Sequence, residues 1–289
     1  MTVEKLRRTA SARHLVWVLG LTAIAWAAVT SGPSAQQGSG ARLNRAIEQF
    51  ANGEAAIGGE HWRTISLEHN PFMIDDLETA LNAFEQQDAA QPRVTPIVRI
   101  NHEADESFHH VVKQMLDAGA FGIVLPQVRS AAQVTELVRA MRYPPQRGTQ
   151  IPEPPGRRGW GPGGATRVWD LSSDDYARRA DVWPLNPDGE LLAIIMCETR
   201  ECLDNIDEIL QVPGLGAVMI GSADLSLALG VGTPGANGGA PEVRDAVRTL
   251  GEACMRHNVP CGIGTGSSLS TDPERILAGL PEPNESTYP

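Results

Sequence analysis

The sequence predicts an α/β fold built on a parallel sheet or barrel, and three observations carry that prediction. From residue 94 onward, apolar runs of strand length alternate with segments whose apolar residues recur at helical spacing. One run, Leu191 to Met196, is apolar throughout, the pattern of a parallel strand buried on both faces. The length, 289 residues, suits one large α/β domain and is short for two.

Taken in order, Val94 to Ile100 reads as a strand, and Ser107 to Ala118 as a helix with Val111, Val112, Met115 and Leu116 on one face. Phe121 to Pro126 is a short buried strand. Ser130 then caps a helix through Met141, whose Val134, Leu137, Val138 and Met141 share a face. Tyr143 to Asp170 carries Pro144, Pro145, Pro152, Pro154, Pro155, Gly163 and Gly164, and is expected to be a long irregular excursion. Such a loop serves either as a lid or binding loop or as a surface for oligomer contacts. Asp174 to Arg179 suggests a short helix within it. After the strand at Leu191, a helix is expected to about Leu210, a strand over Gly216 to Ile220, a helix over Pro241 to His257, and a strand over Val259 to Ile263.

The N-terminus is a separate object. Lys5, Arg7, Arg8 and Arg13 precede the apolar run from Leu15 to Thr30, and the small residues Gly32 to Ala35 follow. Basic flank, short apolar stretch and small-residue site describe an export signal over 1–36. The remaining 37–289 then forms the folded domain. The chain is expected in the periplasm, or tethered to the membrane if the segment stays uncleaved; without a working signal it stays cytoplasmic. The net charge of -11 argues against a nucleic-acid partner, which needs a basic face. It leaves room for a small anionic substrate, because a bound cation reverses the local sign. Of the four cysteines, Cys197 lies in an apolar run and reads as a small core residue. Export would allow Cys254 to pair with Cys261, which the sequence leaves undecided.

Two acids, Glu198 and Asp224, each follow the end of an apolar strand. In a parallel barrel the side chains at those ends converge on one face. There, two carboxylates would seat a hard divalent cation, with water and substrate oxygens completing the shell. The alternative is that each acid merely opens the next helix, where its charge suits the dipole. His69 ends the segment Ile65 to His69 and could serve as a general base, or be a surface residue. Arg99 closes another apolar run and needs a partner, either an oxyanion of a substrate or a structural carboxylate. Asp117, late in its helix, could orient His69 or simply face solvent.

Several segments resemble one family. They are Leu116 to Pro126, Arg142-Tyr143-Pro144-Pro145, Arg158-Gly159, Glu198 to Gly214 with its Glu198-Thr199-Arg200-Glu201 start, and Ile220-Gly221-Ser222-Ala223-Asp224-Leu225-Ser226. Together they are similar to the HpcH/HpaI aldolase family and cover roughly Ile65 to Gly264. The resemblance implies a TIM (β/α)8-type barrel of the pyruvate/phosphoenolpyruvate-binding superfamily, usually a homo-oligomer. It implies a divalent metal ion, Mg²⁺ or Mn²⁺, on Glu198 and Asp224, and no Schiff-base lysine. His69 matches the family's base, Asp117 the aspartate that supports it, and Arg99 the arginine beside the developing oxyanion. Backbone amides at Ala223 and Asp224 would hold the carboxylate of a 2-oxo acid. The implied reaction is cleavage of a 4-hydroxy-2-oxo acid to pyruvate, or a similar 2-oxo acid, and an aldehyde.

Some positions depart from the pattern. Ser66 stands where many members carry an acid, Met196 where some carry a glutamine, and Ser222 in place of the usual proline. Too few residues separate Ala56 from Thr64 for a full first helix, and Leu280 to Pro289 does not read as an eighth strand and helix. The barrel is therefore expected to be incomplete at both ends, or closed by a neighbouring subunit. Two other functions compete: a citrate-lyase-like or malyl-CoA-like thioester lyase, and a degenerate barrel without catalysis.

Overall fold

Each apolar run expected as a strand from residue 94 onward forms one, and all of them join a single sheet. A computed structural model describes residues 42–69, 74–85, 93–148, 152–232 and 236–282, all within the unit Ala35–Pro289. The expected export signal, 1–36, lies outside them. Among the described residues no helix is long and apolar enough to cross a membrane.

The strands are β1 (Trp62–Ser66), β2 (Thr95–Arg99), β3 (Gly122–Leu125), β4 (Leu192–Cys197), β5 (Leu215–Ile220) and β6 (Cys261–Ile263). They pair in chain order, every neighbour parallel. A parallel pair needs a crossover, and the helices supply it. These are α2 (Ile74–Glu85), α3 (His109–Ala118), α4 (Ala131–Met141), α5 (Gly163–Trp169), α6 (Ser173–Arg179), α7 (Arg200–Asp204), α8 (Ile206–Leu210), α9 (Ser222–Ala228) and α10 (Pro241–His257), with α1 (Arg45–Ala51) before β1 and α11 (Pro273–Leu277) after β6. Among the described residues the result is a TIM-barrel-type sheet with six regular strands, in line with the expected incomplete barrel. Isolated bridges span the gap: Ala56 pairs with Leu269, Ser270 with Cys261, and Gly58 with Trp62.

Strand alternation sorts the core into two parts. Trp62, Ile97, Val124, Leu192, Ile194, Met196, Ala217 and Met219 turn inward and pack with Ala46, Ile47 and Phe50 of α1. The intervening Val98, Ile123, Leu125, Ile195, Cys197, Val218 and Ile220 turn outward under the helices. Side chains at i and i+2 share a face, so the next inward position after Met196 is Glu198. At the N-terminal ends of the strands, the buried Asn44 caps α1 and donates to the carbonyls of Phe121 and Glu190.

Two expectations need correction, and two features add to what the sequence showed. Helix α1, which supplies the interior plug, was not anticipated. The Pro- and Gly-rich stretch is not irregular throughout, because α5 forms within it. There Trp169 stacks on Phe121 at 4.3 Å between ring centres, and its indole N–H donates to the Gly119 carbonyl. The single helix expected after Glu198 breaks at Asn205 into α7 and α8. Cys197 is a buried core residue as expected, and it is in addition bonded to Cys202; Cys254 is bonded to Cys261.

Candidate active site

The inward positions at the C-terminal strand ends build the site. Ser66 and Arg99 are register neighbours on β1 and β2. Arg99 donates from Nε and Nη2 to Ser66 Oγ, at 3.0 and 2.8 Å. Its Nη1 reaches Met196 Sδ at 3.5 Å and lies 2.7 Å from Glu68 Oε2. That last contact is an ion pair off the hydrogen-bond direction, since Glu68 Oε2 has no hydrogen-bond partner. Two of the departures from the family pattern, Ser66 and Met196, are thus what the arginine rests on.

Glu198 follows β4 and is only 2% exposed. Its Oε1 accepts from the Gln127 backbone N–H at 2.9 Å. Gln127 turns that amide inward from a left-handed backbone, φ 56°. The other oxygen lies over Gly221, where a Cβ would come within 2.1 Å of Oε2. Burial raises the Glu198 pKa to about 7; the Gln127 amide opposes the rise, Asp224 and Glu68 add to it, and Arg99 lowers it. Glu68 is raised as well, first by burial, against the pull of Arg99 and His69. Of these acids, Glu68 makes the close ion pair with Arg99. Asp224 sits in the first turn of α9.

A cavity of about 500 Å³ opens over Glu198, Thr199, Arg200, Glu201, Asp224, Gln127 and Arg129. A wider cleft of about 990 Å³ lies on the α4–β4 connection, between Tyr143, Trp160 and Leu185, and none of the three acids lines it. Among the described residues no three His, Cys, Asp or Glu side chains converge to chelate a metal. Two do not suffice for a closed cage, but they suit a hard cation that keeps water and takes substrate oxygens. A buried carboxylate with two acidic neighbours and a raised pKa is a charge in want of a cation, so the residues fit one.

The structure brings Glu198, Asp224 and Arg99 together. His69 stands at the rim, its side chain 52% exposed, with Nε2 3.6 Å from Glu68 Oε2. Asp117 is not brought to His69. It ends α3, which leads into the N-terminal end of β3, so it lies at the opposite end of the sheet. There its Oδ1 accepts from Arg158 at 2.7 Å. Sequence reasoning missed Glu68 and the Gln127 amide as members of the site. Glu68 carried the signal used for Glu198, an acid just past an inward-facing strand end.

A parallel barrel-type sheet thus gathers Glu198, Asp224, Glu68 and Arg99 at its C-terminal strand ends, the face on which barrels of this kind carry their active sites. The HpcH/HpaI aldolase/citrate lyase family profile matches residues 52–278. The 2-keto-3-deoxy-L-rhamnonate aldolase of Salmonella typhimurium is 33% identical over 219 residues, 76% of this chain and 70% of that protein. Among solved structures, an HpcH/HpaI aldolase/citrate lyase family protein from Burkholderia cenocepacia shares 25% identity with a TM-score of 0.57, over 76% of each chain. An HpcH/HpaI aldolase from Desulfitobacterium hafniense shares the fold at 22% identity and a TM-score of 0.58, over 78% of this chain and 82% of its own. The chain belongs to the HpcH/HpaI aldolase/citrate lyase family and is a carbon–carbon lyase of that class.

Proposed function

We propose that the chain is a divalent-metal-dependent aldolase that cleaves a 4-hydroxy-2-oxo acid to pyruvate, or a similar 2-oxo acid, and an aldehyde. The observation that carries this reading is the buried Glu198 carboxylate, held between the Gln127 amide and Gly221 beside Asp224, Glu68 and Arg99. The named relative supports the substrate class, since a 2-keto-3-deoxy sugar acid is a 4-hydroxy-2-oxo acid when its C4 carries a hydroxyl.

Glu198 and Asp224 would hold Mg²⁺ or Mn²⁺. The chemistry it supplies is Lewis-acid stabilisation of the charge that develops on the keto oxygen as the C3–C4 bond breaks. Arg99, fixed by Ser66 and Glu68, adds a preorganised positive charge at that oxygen. The first-turn amides of α9 have no intrahelical acceptors, and Gly221 offers no capping side chain. Those of Ala223 and Asp224 would take the substrate carboxylate. His69 removes the proton from the 4-hydroxyl, directly or through water, as the aldehyde forms. Asp117 has no part in this scheme within one chain.

The test is pyruvate release from a panel of 4-hydroxy-2-oxo acids, with chelator and with added Mg²⁺ or Mn²⁺. Release that needs the metal supports the reading; metal-independent release, or none from any member, counts against it. We also infer an exported homo-oligomer. Mass spectrometry of the mature N-terminus, expected near Gln36, and sedimentation velocity check those two points.

A further inference from the structure

The two cysteines nearest the site flank it in sequence. Cys197 is the last residue of β4 and Cys202 lies in α7, and the two are bonded to each other. The four residues they enclose, Glu198, Thr199, Arg200 and Glu201, all line the cavity over the acids. Both cysteines are fully buried. Cys197 faces outward among the helix-packing residues, while Glu198, one position on, faces inward. The bond therefore passes behind the carboxylate, on the far side of the strand.

What the bond holds would not hold itself. Helix α7 has five residues before the chain breaks at Asn205, barely more than one turn, and so short a helix has little stability of its own. Polar ties fix the same loop from the β3–α4 side. Thr199 Oγ1 donates to the Val128 carbonyl at 3.2 Å and accepts from the Cys202 N–H at 3.1 Å, and Asn205 Nδ2 donates to the Arg129 carbonyl at 2.9 Å. The disulfide completes this frame from beneath. Cys254 and Cys261 join α10 to β6 instead, and neither lines that cavity.

We propose that the Cys197–Cys202 disulfide is a positioning device for Glu198, fixing its carboxylate for the divalent cation. This rests on Glu198 being a metal ligand, as the proposed function has it. Metal sites lose about 10- to 100-fold in affinity when the groups that orient a ligand are removed. A loss of that size is expected when the bond is removed with its packing kept.

The experiment is a calorimetric Mn²⁺ titration of the full chain, below its melting temperature. It compares wild type, Cys197→Val with Cys202→Ala, and Cys254→Val with Cys261→Ala. Both double variants are expected to melt lower. Only the first should bind Mn²⁺ about 10- to 100-fold more weakly; the second should match wild type. Equal affinity in all three, or equal weakening in both variants, would overturn the proposal. Peptide mapping of the wild-type protein under non-reducing conditions keeps the proposal falsifiable even if a variant does not fold: two free thiols at Cys197 and Cys202 would also overturn it. A wild-type chain that binds no Mn²⁺ instead removes the ligand assignment beneath it, which separates the two failures.

Discussion

Glu198→Gln separates the charge at the site from its shape. In the folded chain burial lifts this carboxyl from its ordinary 4.5 to about 7. A raised pKa means that the folded state holds the proton more tightly than the unfolded state does. The associated stability is fully present below about pH 4.5 and is lost as pH rises through 7. With 1.36 kcal/mol for each tenfold change in proton affinity, the loss is about 3 kcal/mol. Gln keeps the acceptor for the Gln127 amide and never ionises. Urea denaturation in chelator, at pH 5 and pH 8.5, should show wild type losing about 2.5 kcal/mol more than the variant across that interval. Mg²⁺ at one hundred times its dissociation constant should restore about 2.7 kcal/mol to wild type at pH 8.5 and nothing to Glu198→Gln. Parallel pH profiles for the two proteins in chelator would refute the claim that Glu198 is the strained charge. Equal stabilisation by Mg²⁺ would refute its place as a ligand.

Three other perturbations follow from the same geometry. Gly221→Ala places a methyl 2.1 Å from Glu198 Oε2 and 2.9 Å from its Cβ, so the carboxylate must shift; Mn²⁺ affinity should fall about 10- to 100-fold in a folded protein, read by calorimetry. His69→Ala should cut pyruvate release by about 10²–10⁴ while leaving that affinity intact, whereas a parallel loss of metal would move His69 out of the role of base. Asp117→Ala leaves the fully buried Arg158 side chain without its carboxylate. It should cost about 3–5 kcal/mol in denaturation and spare the kcat of what remains folded; normal stability with a collapsed kcat would return Asp117 to the chemistry.

The strands were legible because a parallel strand buried on both faces leaves nothing but apolar residues, as Leu191 to Met196 does. Helix α10 was legible end to end, since Pro241 opens it and Asn258 closes it in a left-handed turn. Helix α5 was hidden by its own start. Pro162, Gly163 and Gly164 read as breakers, yet they sit at the N-terminus, where a helix tolerates them, and buried Val168 and Trp169 supply the packing. At the site, the place of Glu198 and Asp224 just past strand ends pointed to the C-terminal face, and the family resemblance pointed to Arg99. Neither could show that Gln127 would turn a backbone amide to meet the carboxylate, because φ is not written in a residue's polarity. Asp117 could have been placed better from topology: the last turn of a crossover helix returns to the starting end of the next strand, away from the site. The Cys197–Cys202 bond was missed because a spacing of five has no established signature.

Among the described residues, strands β6 and β1 do not pair with each other, and very few bonds bridge the gap between them. Ala56 and Leu269 exchange two hydrogen bonds of 3.0 and 2.9 Å, Cys261 and Ser270 two of 2.8 Å, and Gly59 donates one of 2.7 Å to Trp62. Where β4 and β5 pair in register from Ile194 to Cys197, this seam is a clasp. Its tightness depends on an absent side chain, because a Cβ at Gly58 would stand 2.2 Å from the Gly266 carbonyl oxygen. A hoop with one clasp yields there first. Sub-global opening of this protein would begin between β6 and β1 and wet Trp62 and Leu269, the interior residues beside the seam. The indole of Trp62 is thereby a natural reporter, already in place, for the moment the barrel lets go.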